Sequence, residues 1–120
     1  MRIRKIDWME ESIKEAILTL NDGENDFLVF SHPCRFSVGQ CVNQPLYASE
    51  TSNIRRVEPQ KVFIKRVGLA FEHELLAKVV DTKVPLVCIG EIVIELGGRL
   101  PGDIVKGEYV RFRSDRLDSR

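Results

Sequence analysis

Apolar and polar residues alternate along this chain in short runs, and a turn-forming cluster cuts each run before it lengthens. Asn21-Asp22-Gly23, Val38-Gly39-Gln40, Asn43-Gln44-Pro45, Asp81-Thr82-Lys83, Gly97-Gly98, Pro101-Gly102 and Lys106-Gly107 supply the breaks. Between them lie β-branched or aromatic stretches such as Phe27–Phe30, Val62–Ile64, Leu86–Leu96 and Tyr109–Arg113. Frequent turns between short strand-like runs predict a small all-β sandwich or barrel.

Two β-prone runs, Ala16–Leu20 and Phe27–Phe30, flank an Asp-Gly turn and predict a hairpin. Asp7 and Glu10 have capping-box spacing, and Met9, Ile13, Ala16, Ile17 and Leu20 would share a helical face, but the hairpin leaves room for at most one helical turn near Asp7. His32-Pro33 ends the second strand, because proline cannot donate to a ladder. Gln44–Ala48 reads as an extended sheet edge, and Glu50–Gln60 as a polar loop or irregular strand. Residues 70–80 suit either period, but Val79-Val80 favours a strand. Leu86–Leu96 reads as one core element bent at Gly90. In Tyr109–Arg113, Val110 and Phe112 share one face, and Tyr109, Arg111 and Arg113 share the other.

These elements predict one all-β domain over residues 1–120, a partly closed antiparallel barrel of about five to seven strands with minor helix. Residues 114–120 read as a frayed polar tail. The expected core is Ile17, Phe30, Val62, Ile64, Val87, Ile89, Ile92, Ile94, Val110 and Phe112. The spacing resembles that of OB-like and SH3-like small barrels, a likeness of fold that carries no function with it.

Composition sharpens the functional reading. Eighteen basic and eighteen acidic residues cancel, so no global field draws in nucleic acid or an acidic membrane. No apolar run is long enough for a membrane helix, and no apolar segment follows the basic N-terminus as a signal peptide requires. Three cysteines, an odd number, imply free thiols and a cytoplasmic setting rather than a disulfide framework.

The candidate chemistry is sparse. His32, Cys34 and Cys41 are the one set with metal or thiol potential, but paired Cys-x-x-Cys spacing is missing and no carboxylate nearby would orient the histidine. Buried inert thiols are the better reading, so no catalytic residue, metal or cofactor is expected. Gly97–Asp103 lacks Gly-Lys-Ser or Gly-Lys-Thr and reads as tight turns rather than a phosphate loop.

Charge is distributed unevenly. Between residues 7 and 26, Lys14 alone opposes Asp7, Glu10, Glu11, Glu15, Asp22, Glu24 and Asp26. Arg55, Arg56, Lys61, Lys65 and Arg66 cluster with only Glu58 among them, and Arg111, Arg113, Arg116 and Arg120 form a second basic group. If Val62, Ile64, Val110 and Phe112 face inward, then Lys61, Phe63, Lys65, Tyr109, Arg111 and Arg113 face outward. With Arg55 and Arg56 they form a candidate partner face. The leading expectation is a non-catalytic binding module for another protein, a role that suits regulation or toxin neutralisation. The alternative is single-stranded nucleic acid, with cations tracking phosphates and aromatics stacking on bases. The bland alternative is a solvated strand face with Phe63 in a second apolar layer.

Overall fold

The computed structural model describes residues 1–119, and they form one sheet of nine strands. In chain order these are β1 (Ile3–Glu10), β2 (Glu15–Asn21), β3 (Asp26–Ser31), β4 (Leu46–Val57), β5 (Phe63–Arg66), β6 (His73–Asp81), β7 (Leu86–Ile89), β8 (Ile92–Leu96) and β9 (Tyr109–Ser119). The sheet runs β1-β2-β3-β9-β4-β8-β7-β6-β5, and a further β9–β6 pairing closes it. The closed ring is β9-β4-β8-β7-β6, a five-stranded barrel. The small-barrel expectation holds, with more strands than expected and with two parallel pairings, β4–β8 and β3–β9.

Two long strands make the closure. β9 divides one edge between partners: Tyr109–Ser114 pair with β6, and Asp118 meets Phe30 of β3. Its other edge lies along β4 from Leu46 to Val57. β6 likewise gives one edge to β5 at His73–Leu76 and then to β7 from Lys78 onward. The strand ladder therefore leaves the barrel on one side as β1-β2-β3 and on the other as β5.

Alternation fills the interior. Leu46 and Ala48, Leu75, Ala77 and Val79, Val87 and Ile89, Ile92, Ile94 and Leu96, and Val110 and Phe112 all point inward and belong to one apolar cluster. The hairpin adds Leu18, Leu20, Phe27 and Val29 to the same cluster. Each Leu, Ile, Val or Phe side chain among them, fully buried, contributes about 1.5–3 kcal/mol through its removal from water.

Several expectations are corrected. Asp7 lies within β1, and the short helical piece is a 3₁₀ turn at Glu11–Ile13, ended by Lys14 at φ 60°. Gln44–Ala48 is not a sheet edge: Leu46–Ala48 pair with β8 on one side and β9 on the other. Of the two readings of Glu50–Gln60, the irregular strand holds as far as Val57, where β4 ends after a bulge between Ser52 and Arg55. Leu86–Leu96 is a hairpin, not one bent strand. Ile89 pairs with Ile92, and Gly90 at φ +59° begins the tight turn that reverses the chain. Residues 114–119 do not fray: β9 runs to Ser119, with Ser114 and Leu117 fully buried. Arg120 of the expected tail lies outside the described residues.

Phe30 is also corrected. Phe27, Val29 and Ser31 take the inner face of β3, so Phe30 turns outward, and the Arg116 guanidinium stands 4.3 Å from its ring centre. Val62 precedes β5 and is only half-buried against the core.

Candidate partner face

β5, β6, β9 and β4 present their outer faces side by side, and their registers align side chains into rows. Phe63 lies opposite Leu76, Leu76 opposite Arg111, and Arg111 opposite Arg55. The next row is Lys65, Glu74, Arg113 and Ser52. A third brings together Lys78, Tyr109 and Val57. The strands of Phe63 and Arg111 are thus not neighbours, since β6 separates them. Two strand spacings put their backbones about 10 Å apart. Even so, the Arg111 guanidinium lies 5.4 Å from the Phe63 ring centre, so it leans across Leu76. Lys65 approaches the same ring at 5.2 Å. Leu76, although on the outer face, is fully buried beside these side chains.

Carboxylates order the cations. Arg111 Nε donates to Glu74 Oε1 at 2.6 Å, and Arg113 Nη1 donates to Glu72 Oε1 at 2.9 Å. The bond from Arg111 holds the Glu74 carboxyl below the usual carboxylate range, against the opposing effect of partial burial. The charges of Arg111, Arg113 and Arg55 act in the same direction. Arg55 and Lys65 carry no ion pair among the described residues.

Arg56 and Lys61 stand apart from this row. Arg56 sits opposite inward-facing Val110 at the barrel mouth, with Asp103 and Glu108 as ion partners at 3.7 and 3.4 Å. Lys61 precedes β5 and pairs with Glu24 on the β2–β3 turn. Tyr109 and Arg56 border a cleft of about 430 Å³ with Val57, Glu58, Pro59, Gly107 and Glu108. The sequence clusters therefore resolve into two adjacent rows, Phe63, Arg111 and Arg55 in one and Lys65 and Arg113 in the next, with Tyr109 at their border.

His32, Cys34 and Cys41 differ in environment. His32 is exposed, Cys34 is buried and Cys41 is half-buried. No group of three metal-capable side chains gathers among the described residues.

Sequence reasoning did not single out Glu72 and Glu74, which fix the arginines, or His73, which is fully buried between them and the core. Alternation in Glu74, Leu76 and Lys78 was the available signal for Glu74, because it places that carboxylate outward on a strand with Lys78.

The fold and this face define a closed five-stranded barrel with a cation-rich outer sheet. Comparison with family models, with curated proteins and with solved structures finds no match.

Proposed function

We propose that this barrel is a non-catalytic binding module that docks an acidic surface of another protein on the outer face of β5, β6, β9 and β4. The observation that carries the reading is the row Phe63–Leu76–Arg111–Arg55, with Lys65, Lys78 and Arg113 beside it. These cations outnumber Glu72 and Glu74, and they stand on paired strands rather than loops. A face of this kind is ordered before contact, which lowers the entropy lost on docking. Its surplus positive charge selects and steers an acidic partner.

Single-stranded nucleic acid fits the same face less well. Base stacking needs a bare aromatic face, and the Phe63 ring already has Arg111 and Lys65 over it.

The test is quantitative affinity capture from the native cell with the unaltered chain and with an Arg55→Glu/Lys65→Glu variant. Both side chains are exposed, so the variant should fold. A partner recovered in stoichiometric amount by the first and lost by the second supports the proposal. Repeated capture of no such protein, or equal capture by both, overturns it. Fluorescence anisotropy with a short single-stranded oligonucleotide at low salt separates the alternative. Tight, salt-sensitive binding there would favour nucleic acid.

A further inference from the structure

The two ends of the sheet are finished differently. At the β5 end, the Asp22 carboxylate accepts the Ile64 main-chain N–H at 3.2 Å, and the Lys61–Glu24 pair closes over the same region. At the β1 end, main-chain bonds from Gly39, Gln40 and Val42 cover only Met1 and Ile3. Among the described residues, no main chain meets the outer edge of β1 from Arg4 to Glu10. An open edge is a template for another strand unless something prevents pairing. β1 contains no proline, and its charges are of both signs.

We propose that a second copy of this chain pairs antiparallel with β1 about a two-fold axis at Ile6. In a two-fold antiparallel pair each residue meets its mirror position in the partner strand. An axis at Ile6 sets Ile6 against Ile6, Lys5 against Asp7, and Arg4 against Trp8, the last two contacts each occurring twice. Lys5 and Asp7 already lie on one face, 3.4 Å apart, so the pairing builds a four-charge cluster of alternating sign. Trp8 is 40% exposed, but its ring already has the Lys14 ammonium at 5.9 Å and Arg4 is paired with Asp26 at 3.1 Å, so the Arg4–Trp8 contact contributes less than the Lys5–Asp7 pairs.

Neighbouring symmetric registers are worse. An axis at Asp7 would bring two aspartates face to face, and an axis at Lys5 would bring two lysines together. An axis at Lys5 would also need the edge at Ile3 that the Gly39–Gln40 segment already occupies. The proposed run ends naturally at both limits. Ile3 is covered on one side, where a first bulge lies between Ile3 and Lys5 at Arg4, and a second bulge between Trp8 and Glu10 bends the strand on the other, so the regular part of the run is Lys5–Trp8. Five residues a side is about 17 Å of edge, short of a standard permanent interface. The dimer is therefore weak and concentration-dependent.

The test is charge exchange. Sedimentation of the unaltered chain from micromolar to near-millimolar concentration should show a monomer–dimer equilibrium. Lys5→Asp turns each contact with Asp7 into a pair of carboxylates, and Asp7→Lys turns each contact with Lys5 into a pair of ammonium groups. Each variant alone should therefore stay monomeric. An equimolar mixture of the two sets opposite charges together again at both contacts and should dimerise as the unaltered chain does. Amide exchange over residues 5–8 should slow with concentration in the unaltered chain but not in either variant alone. Both substitutions are at exposed positions, and circular dichroism verifies their fold. A strictly monomeric parent, single variants that self-associate like the parent, or a mixture that stays monomeric would each overturn the proposal.

Discussion

His73 Nε2 accepts the main-chain N–H of Leu28 at 3.0 Å, and this bond fastens β3 to β6. It sits where β9 passes from one of these strands to the other, so no ladder bond can do the same work there. The other ring nitrogen, Nδ1, lies 2.8 Å from the Phe71 carbonyl. Because Nε2 is the acceptor, Nδ1 carries the proton and donates it to Phe71. The neutral ring is thus fully used, and Phe27 meets it edge-on at 6.4 Å.

Burial pushes the His73 pKa down from 6.5 to about 4, the Phe71 carbonyl opposes the shift and the Arg66 charge adds to it. The unfolded chain therefore takes up a proton that the native chain refuses. The stability held by the neutral ring is complete above about pH 6.5 and falls as pH drops towards about 4, by about 1.4 kcal/mol per unit and about 3 kcal/mol in all. Urea unfolding across this window should show that slope. In His73→Gln the slope should flatten, with the stability at neutral pH lowered by about 1–3 kcal/mol as the Leu28 and Phe71 groups lose their geometry. A parent whose stability is constant between pH 6.5 and 4 would contradict the assignment.

Gly97 marks a second point where geometry is tight. Its N–H bonds to the Ala48 carbonyl at 2.8 Å, and an added Cβ would meet the same oxygen at 2.9 Å and Tyr47 Oη at 2.8 Å. The Ala48 carbonyl is main chain and belongs to β4 at its junction with β8 and β9, so it has no room to give. Gly97→Ala should destabilise the barrel by about 1–3 kcal/mol, the usual cost of overpacking. Gly102→Ala, which meets open space, is the matched control and should leave the thermal midpoint nearly unchanged.

The parts of the fold legible in the sequence are those with local physical causes. The β2–β3 hairpin announces itself because Asn21 Oδ1 accepts from Gly23 N–H and Asp22 Oδ1 accepts from Glu24 and Asn25 N–H, bonds that only those side chains make locally. Clean alternation sets the direction of Ile64, Val110 and Phe112. Phe30 escapes such a reading because Phe27-Leu28-Val29-Phe30 is apolar throughout and carries no phase; pairing with β2 sets it. Gly90 inside an apolar run fits a bend as well as a reversal, and only the Ile89–Ile92 pairing separates them. The polar end 114–119 resembles a tail because its buried members are spaced irregularly. Ser114 Oγ lies 2.7 Å from the Ser49 carbonyl, and Leu117 fills the junction with β4. For the candidate face, outward cations are readable from alternation. Their partners are not, because Glu72–Arg113 and Lys61–Glu24 join residues far apart in sequence.

The ordering of the candidate face makes a last prediction. Glu74 is ionised below the usual carboxylate range chiefly because Arg111 donates to it, so the two groups report on each other. In Arg111→Gln the charge and the short bond are lost, while Arg113 and Arg55 still act from a distance. The Glu74 titration followed by carboxyl carbon shifts should then move upward towards the ordinary glutamate range. Phe63 should move as well, since the Arg111 guanidinium over its ring is gone, and its ring resonances should shift in the same variant. A Glu74 titration unchanged by Arg111→Gln would mean that the arginine does not hold the carboxylate in solution, and the ordered row across β5, β6, β9 and β4 would lose its central tie.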